Sequence, residues 1–217
     1  MTESVYDHDL VVLTADKNMK FALQGLLNRS EALQIRPITV LFYIHPESDP
    51  GCLLRADAFL RPFINQFAHA IVIFDREGCG RQHKMREELE EEVFSGLLRS
   101  GWVDRASVIV IDPELENWVF SDSPEVDVAM GWAGRDPSLR SWLKAQGFIM
   151  SGQAKPSRPK EAMEAALRHV RMPRSSSIYG QLAERVGLTR CTDRAFIKLI
   201  NTLQPWFPAM NKEQLDR

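Results

Sequence analysis

The sequence predicts an α/β protein with a mainly parallel four-stranded sheet, flanked by helices and followed by a helical C-terminal part. Four short runs of apolar and β-branched residues occur in the first 115 residues, and segments with helical periodicity lie between them. Beyond about residue 124, only helical patterns and loops remain. Strands that alternate with helices pair in parallel, because each helix returns the chain across the sheet. We therefore expect two parts, an α/β domain over 1–123 and a basic helical region over 124–217 packed on it.

The first strand and helix are the most regular of these units. Residues 9–15 read DLVVLTA, a buried strand that Asp16 closes. The helix that follows shows an apolar stripe at i, i+3, i+4, i+7 and i+8, formed by Met19, Ala22, Leu23, Leu26 and Leu27.

The middle of the domain repeats the pattern. Residues 38–44 and 69–74 predict the second and third strands. Between them, Asp49-Pro50-Gly51 has the composition of a turn, and residues 52–67 look helical. Pro62 must kink that helix or begin a new one.

A helix over 84–99 and a strand over 107–111 complete the domain. Apolar residues recur every four positions through the helix, while the acidic run at 87–92 predicts a solvated face. Farther on, a helix is expected at 137–146, another with Pro159 in its first turn, and two more near the C-terminus. The last of these is expected to be capped by Thr192 or Asp193.

Composition limits the class of protein. The chain of 217 residues is 44% hydrophobic and 26% charged, as in ordinary globular proteins. No apolar run approaches the ~18–20 residues of a membrane span, and the N-terminus lacks a signal pattern, so we expect a cytoplasmic protein without membrane contact. The three cysteines lack the spacing of a disulfide framework or zinc site.

Charge is distributed unevenly. Residues 151–217 carry 12 basic and six acidic residues, whereas the first 150 carry 15 basic and 23 acidic residues. This asymmetry suits a metal site beside a phosphate-contacting surface, and it equally suits solvated helices that differ in charge.

Acidic residues follow three of the four predicted strands. Asp16 follows the first, Asp75 and Glu77 end the third, and Glu114 and Glu116 follow the fourth after Asp112-Pro113. Ligand sites of open parallel sheets form where strands end, and converging carboxylates repel unless a cation neutralises them.

Mg²⁺ or Mn²⁺ suits such oxygen ligands. We predict metal ligands at Asp75, Glu77 and Glu114. An acid after a strand can instead cap a helix or form a turn. For Asp16 both roles stay open, and for Asp112, directly before a proline, a turn is favoured over a ligand role.

These residues resemble the Toprim domain of topoisomerases, primases and some nucleases. The resemblance covers about residues 9–120 and is carried by the strand-acid-helix unit at the start, IVIFDREGCG at 71–80 and PELENWVFSD at 113–122. It implies Mg²⁺ bound by Asp75 and Glu77, with Asp16 as general acid or base. Toprim domains usually have Glu where this chain has Asp16, and Asp where it has Glu77.

Nearly the whole chain is also similar to one bacterial family, the fourth-component protein of a methylation-associated phage-defence system. The segments that carry this similarity include VLTADKNMKFALQGLL, AKPSRPKEAM, PRSSSIY and CTDRAFIKLINTLQPWF. The similarity implies a role in phage defence together with other defence-system proteins.

The basic C-terminal region offers candidate phosphate contacts, and alternatively it is a solvated helix bundle. The candidates are Lys155, Arg158, Lys160, Arg174 and Arg194.

Three functions fit the sequence. The first is Mg²⁺-dependent processing of a phosphodiester, with nucleic acid as substrate and with Asp16 or Glu116 moving the proton. The second is a non-catalytic subunit that binds defence proteins or nucleic acid. The third is a phosphatase or phosphotransferase acting on small molecules.

Overall fold

The computed structural model describes residues 6–188 and 191–209. Its four strands form one parallel sheet in the order β2-β1-β3-β4, which confirms the predicted α/β class. The strands are β1 His8–Thr14, β2 Val40–Ile44, β3 Phe67–Asp75 and β4 Ala106–Ile111.

Helices follow each strand and make up the C-terminal part. Within the described ranges they are α1 Lys17–Leu27, α2 Ser30–Leu33, α3 Ser48–Leu60, α4 Arg86–Arg99, α5 Glu116–Val119, α6 Pro124–Ala129, α7 Leu139–Ala145, α8 Pro159–His169, α9 Ser176–Arg185 and α10 Arg194–Trp206. A short 3-10 helix, Arg61–Phe63, follows α3. None of the helices in the described ranges is long and apolar enough to cross a membrane.

The segment after β2 differs from the prediction. Asp49-Pro50-Gly51 is not a turn but lies in the first turns of α3, where a proline is tolerated because the early N–H groups have no helical partner. The helix therefore begins at Ser48, and Pro62 stands in the separate 3-10 helix.

The sequence predicted a solvated face for the acidic run at 87–92, and this is wrong at one position. Glu90 is 7% exposed. Its Oε1 accepts a hydrogen bond from Val110 N–H at 3.0 Å, and its Oε2 lies 2.7 Å from Lys198 Nζ. Glu90 thus joins α4 to β4 and α10, because a buried carboxylate requires partners that exposed helical acids do not.

The C-terminal helices pack on the sheet domain. Helix α9 lies so close to α1 that a Cβ atom added at Gly25 would stand 2.7 Å from the Gly180 carbonyl oxygen. Helix α10 lies against β4, where the hydroxyls of Ser107 and Thr202 are 3.2 Å apart. One apolar core includes residues of both parts, and the boundary between residues 123 and 124 stays a prediction.

Candidate functional site

Strand register brings two predicted site residues to the same level. Thr14 at the end of β1 pairs with Ile73 of the adjacent β3, and Asp16 and Asp75 each follow this pair by two residues along the chain. Asp16 keeps an extended backbone, with φ −147° and ψ 178°. Both acids therefore stand at the edge where the parallel strands end, as expected for a site of this fold.

The Asp75 carboxyl group is buried at this edge. Its backbone N–H donates to Asp49 Oδ1 at 2.8 Å. Its own Oδ1 is buried and has no hydrogen-bond partner among the described residues. Burial, followed by the charges of Asp49, Glu116 and Asp16, raises the pKa of Asp75 well above its usual value.

Asp49 joins the site although the sequence analysis did not select it. It is held in the first turn of α3, and its carboxylate accepts the Asp75 N–H. Burial raises the pKa of Asp49, the charge of Asp16 adds to the shift, and Lys160 opposes it. Asp49 lies soon after β2, as other acids lie after the other strands, and this position could have identified it. The sequence Asp-Pro-Gly is typical of a turn, so Asp49 was not selected. We name Asp16, Asp49, Asp75 and Glu116 the acidic cluster.

Glu116 is the acidic-cluster member that forms an ion pair with a described residue. It is 3% exposed, and its Oε1 accepts a hydrogen bond from the Tyr179 hydroxyl at 2.6 Å. The same oxygen forms an ion pair with Arg174, which also contacts Glu164 at 2.7 Å. Glu116 is therefore held in place by a cation and a hydroxyl group, and Tyr179 is a site residue that the sequence did not reveal.

Glu114 and Glu77 lie beside the acidic cluster. Glu114 is buried, and its Oε1 accepts the Lys160 backbone N–H at 2.9 Å. Burial raises the pKa of Glu114, and the charges of Glu116 and Glu77 add to the shift. Glu77 is exposed and lies two residues beyond the end of β3, with its N–H donating to the Pro113 carbonyl at 2.9 Å.

Asp16 has a structural role that the sequence left open. Its Oδ1 accepts the Met19 N–H at 2.8 Å and so caps α1. The carboxylate is exposed, and its charge still raises the pKa values of Asp49 and Asp75. Asp112 instead faces Arg76, with 3.3 Å between Arg76 Nε and its Oδ1.

The geometry limits what the protein alone can supply to a metal ion. In residues 6–188 and 191–209, no group of three His, Cys, Asp or Glu side chains is arranged to hold one. Mg²⁺ is commonly held by one or two carboxylates, with waters and substrate phosphates completing its octahedral shell. Asp75 and Asp49 are the candidate pair, because Asp49 accepts the Asp75 backbone N–H and its charge raises the pKa of the Asp75 carboxyl group.

The basic residues predicted to contact phosphate differ in whether they already have hydrogen-bond or ion-pair partners within the protein. Lys160 Nζ makes no hydrogen bond or ion pair with the described residues. Its positive charge acts to lower the pKa of both Asp49 and Glu114. Arg174 is committed to Glu116 and Glu164. The other three have the following partners: Lys155 donates to the Asn117 carbonyl at 2.6 Å, Arg158 pairs with Glu161 at 2.6 Å, and Arg194 lies 3.6 Å from Glu87.

Comparison with known protein families, with curated proteins and with solved structures gave no match.

Proposed function

We propose that the protein binds Mg²⁺ or Mn²⁺ at the acidic cluster and uses it to cleave a phosphodiester, with nucleic acid as the substrate. The observation that supports this most directly is the Asp75 carboxyl group. Its buried Oδ1 lacks a partner, and its pKa is raised by burial and by three neighbouring carboxylates. A carboxyl group in that environment is stabilised by a cation.

A divalent cation at this edge would polarise a phosphoryl oxygen and make a bound water a stronger nucleophile. Asp75 would be its principal ligand, with Asp49 as the second carboxylate. Glu77 and Glu114, the other predicted ligands, lie near each other, since the charge of Glu77 raises the pKa of Glu114, and they would add negative charge at this edge.

We assign the proton-transfer role by comparing how many carboxylate oxygens of Glu116 and Asp16 already have hydrogen-bond or ion-pair partners. Glu116 accepts from Tyr179 and pairs with Arg174, so its role here is to hold those side chains and add negative charge. Asp16 is exposed and uses Oδ1 to cap α1. Its Oδ2 has one weak contact, a hydrogen bond accepted from Asn18 Nδ2 at 3.4 Å. Asp16 is therefore the better candidate for the general acid or base.

Lys160 supports a phosphate ester as the substrate. Its ammonium group has no ion-pair partner within the described ranges and lies near enough to affect Asp49 and Glu114. A phosphodiester placed between this cation and a bound metal ion would have its negative charge neutralised from both sides.

The test uses labelled single-stranded DNA, duplex DNA and RNA incubated with Mg²⁺ or Mn²⁺. We expect cleavage by the wild-type chain to fall by ~100-fold or more in Asp75→Asn, because the metal ligand is lost. Lys160→Gln should reduce it by about tenfold, since one charge-assisted contact is removed.

Glu31→Gln is the matched control, because Glu31 is an exposed acid in the first turn of α2 and lies outside the acidic cluster. This variant should cleave as the wild type does. Cleavage that survives Asp75→Asn would overturn the proposal, as would the absence of any metal-dependent cleavage. Release of phosphate from p-nitrophenyl phosphate, without cleavage of nucleic acid, would indicate a small-molecule phosphatase instead.

A role in phage defence with partner proteins remains part of the proposal and is supported only by the sequence similarity. Co-purification with other defence-system proteins, without nuclease activity, would favour a non-catalytic subunit.

A further inference from the structure

A large cavity lies among α1, the segment that follows β4 and the helices of the C-terminal part. Its volume is about 550 Å³. Small-molecule sites in proteins usually measure roughly 300–1,000 Å³, so this cavity can hold a molecule of drug size.

The wall of the cavity is predominantly apolar and is built by four helices. Leu26 comes from α1, Val119 from α5, Leu182 from α9 and Phe196 from α10. The ring of Tyr179 also lines the cavity, while its hydroxyl donates to Glu116 in the acidic cluster. An apolar or aromatic group would therefore be enclosed on several sides, which favours its transfer from water.

Charged groups in the lining favour a ligand that carries an anionic group. Among residues 6–188 and 191–209, the charged side chains in its lining are Arg140, Lys155 and Asp122, so the positive charge of these exceeds the negative by one. Arg140 is exposed and makes no hydrogen bond or ion pair with the part of the chain that the structure describes. Its guanidinium is thus free to contact an anionic group on a bound molecule.

We infer that this cavity binds a small molecule with an aromatic or alicyclic body and one anionic group, the anion facing Arg140. The site includes none of the four acidic-cluster residues, although Tyr179 contacts both regions, and it requires no metal ion. Its test can therefore succeed or fail independently of the proposed phosphodiester cleavage.

The probe is 1-anilinonaphthalene-8-sulfonate, an aromatic anion whose fluorescence rises in apolar surroundings, titrated without divalent metal. We expect saturable binding of one probe per chain. Arg140→Gln should weaken it by roughly threefold or more, because an ion pair with the sulfonate is lost. N-phenyl-1-naphthylamine, the matched neutral probe, should bind equally to both proteins.

Two further variants locate the binding site. Ala154 is exposed and lines both this cavity and a neighbouring one of about 230 Å³, so Ala154→Trp should fill the space and abolish binding. Arg168→Gln removes an exposed cation from α8 and should leave binding unchanged.

Circular dichroism should show that each variant keeps the wild-type fold. If Ala154→Trp failed to fold, the comparison of Arg140→Gln with Arg168→Gln would still decide the question. Equal weakening in those two variants, unchanged binding in a folded Ala154→Trp, or no saturable binding by the wild type would overturn the inference.

Discussion

At the scale of single residues, the Asp75 carboxyl group is costly to the fold when it is ionised. Its Oδ1 is buried without a partner, and three other carboxylates raise its pKa. In the pH range between the unfolded and folded pKa values, the folded chain holds more protons than the unfolded chain. The free energy of unfolding therefore falls as pH rises through that range.

Removing this charge should stabilise the protein at neutral pH. We expect Asp75→Asn to raise the free energy of unfolding by about 1 kcal/mol or more, which is about 2–4 °C in melting temperature for a chain of this size. Because the wild-type group becomes protonated at low pH, the gain should shrink as pH approaches 4. Thermal melts from pH 4 to 8 without divalent metal measure both effects.

Glu31→Gln provides the comparison for loss of one exposed carboxylate, and its melting temperature should follow that of the wild type at every pH. Addition of Mg²⁺ should raise the melting temperature of the wild type and leave that of Asp75→Asn unchanged. A melting temperature for Asp75→Asn at or below the wild-type value at pH 8 would contradict the assignment of a destabilising buried charge.

At this scale the sequence predicted part of the site. Parallel strands align their ends, so an acid after each of two adjacent strands was sufficient to place Asp16 and Asp75 together. Asp49 was missed because Asp-Pro-Gly suits a turn as well as a first helical turn. Tyr179 was missed because its contact with Glu116 joins residues 63 positions apart, and no local pattern encodes such a pairing.

At the scale of elements, the close approach of α1 and α9 depends on glycine. A Cβ atom at Gly25 would lie 2.7 Å from the Gly180 carbonyl oxygen, which is too short for any real contact. Gly96, inside α4, gives the comparison, because a Cβ atom there would meet Asp57 at an ordinary 3.5 Å.

The same substitution should have opposite effects at these two positions. Alanine is favoured over glycine by about 1 kcal/mol inside a helix, so Gly96→Ala should raise the free energy of unfolding by roughly 0.5–1 kcal/mol. Gly25→Ala should lower it by about 1–3 kcal/mol, because α9 must move away from α1. Urea denaturation of the two variants measures both, and stabilisation by Gly25→Ala would show that the helices pack less closely.

The elements themselves followed largely from local patterns. The strands were predicted to within two residues at each end, since β-branched runs favour buried parallel strands. Asp193 caps α10 by accepting the Ala195 and Phe196 N–H groups at 2.9 and 3.1 Å, which resolves the choice between Thr192 and Asp193. The short helices α2, α5 and α6 were missed, because four to six residues are too few to show a helical period.

At the scale of the whole molecule, the central question is whether the C-terminal helices fold together with the sheet. Glu90 in α4 holds Val110 of β4 and Lys198 of α10 through its two carboxylate oxygens. The second cation near Glu90 is Arg86, whose Nε lies 4.0 Å from Oε1. This contact joins the two predicted parts of the chain through a buried carboxylate. Removing it therefore tests whether the two parts unfold together.

Replacing Lys198 with Met should destabilise both parts together. The change leaves Glu90 buried without its closest cation, and we expect the free energy of unfolding to fall by about 1–3 kcal/mol, with the partial exposure of Lys198 and the nearby Arg86 limiting the loss. Lys144→Met, an exposed lysine in the last turn of α7, should change it by less than about 0.5 kcal/mol.

Hydrogen exchange of backbone amides distinguishes joint from separate unfolding. If the chain unfolds as one cooperative unit, Lys198→Met should reduce the protection of the slowest amides in β3 and α10 by the same free energy. Loss of protection confined to α10, with β3 unchanged, would mean that the C-terminal helices open independently of the sheet. We expect the first result, because the core is continuous across both parts and α9 and α10 pack directly on elements of the sheet domain.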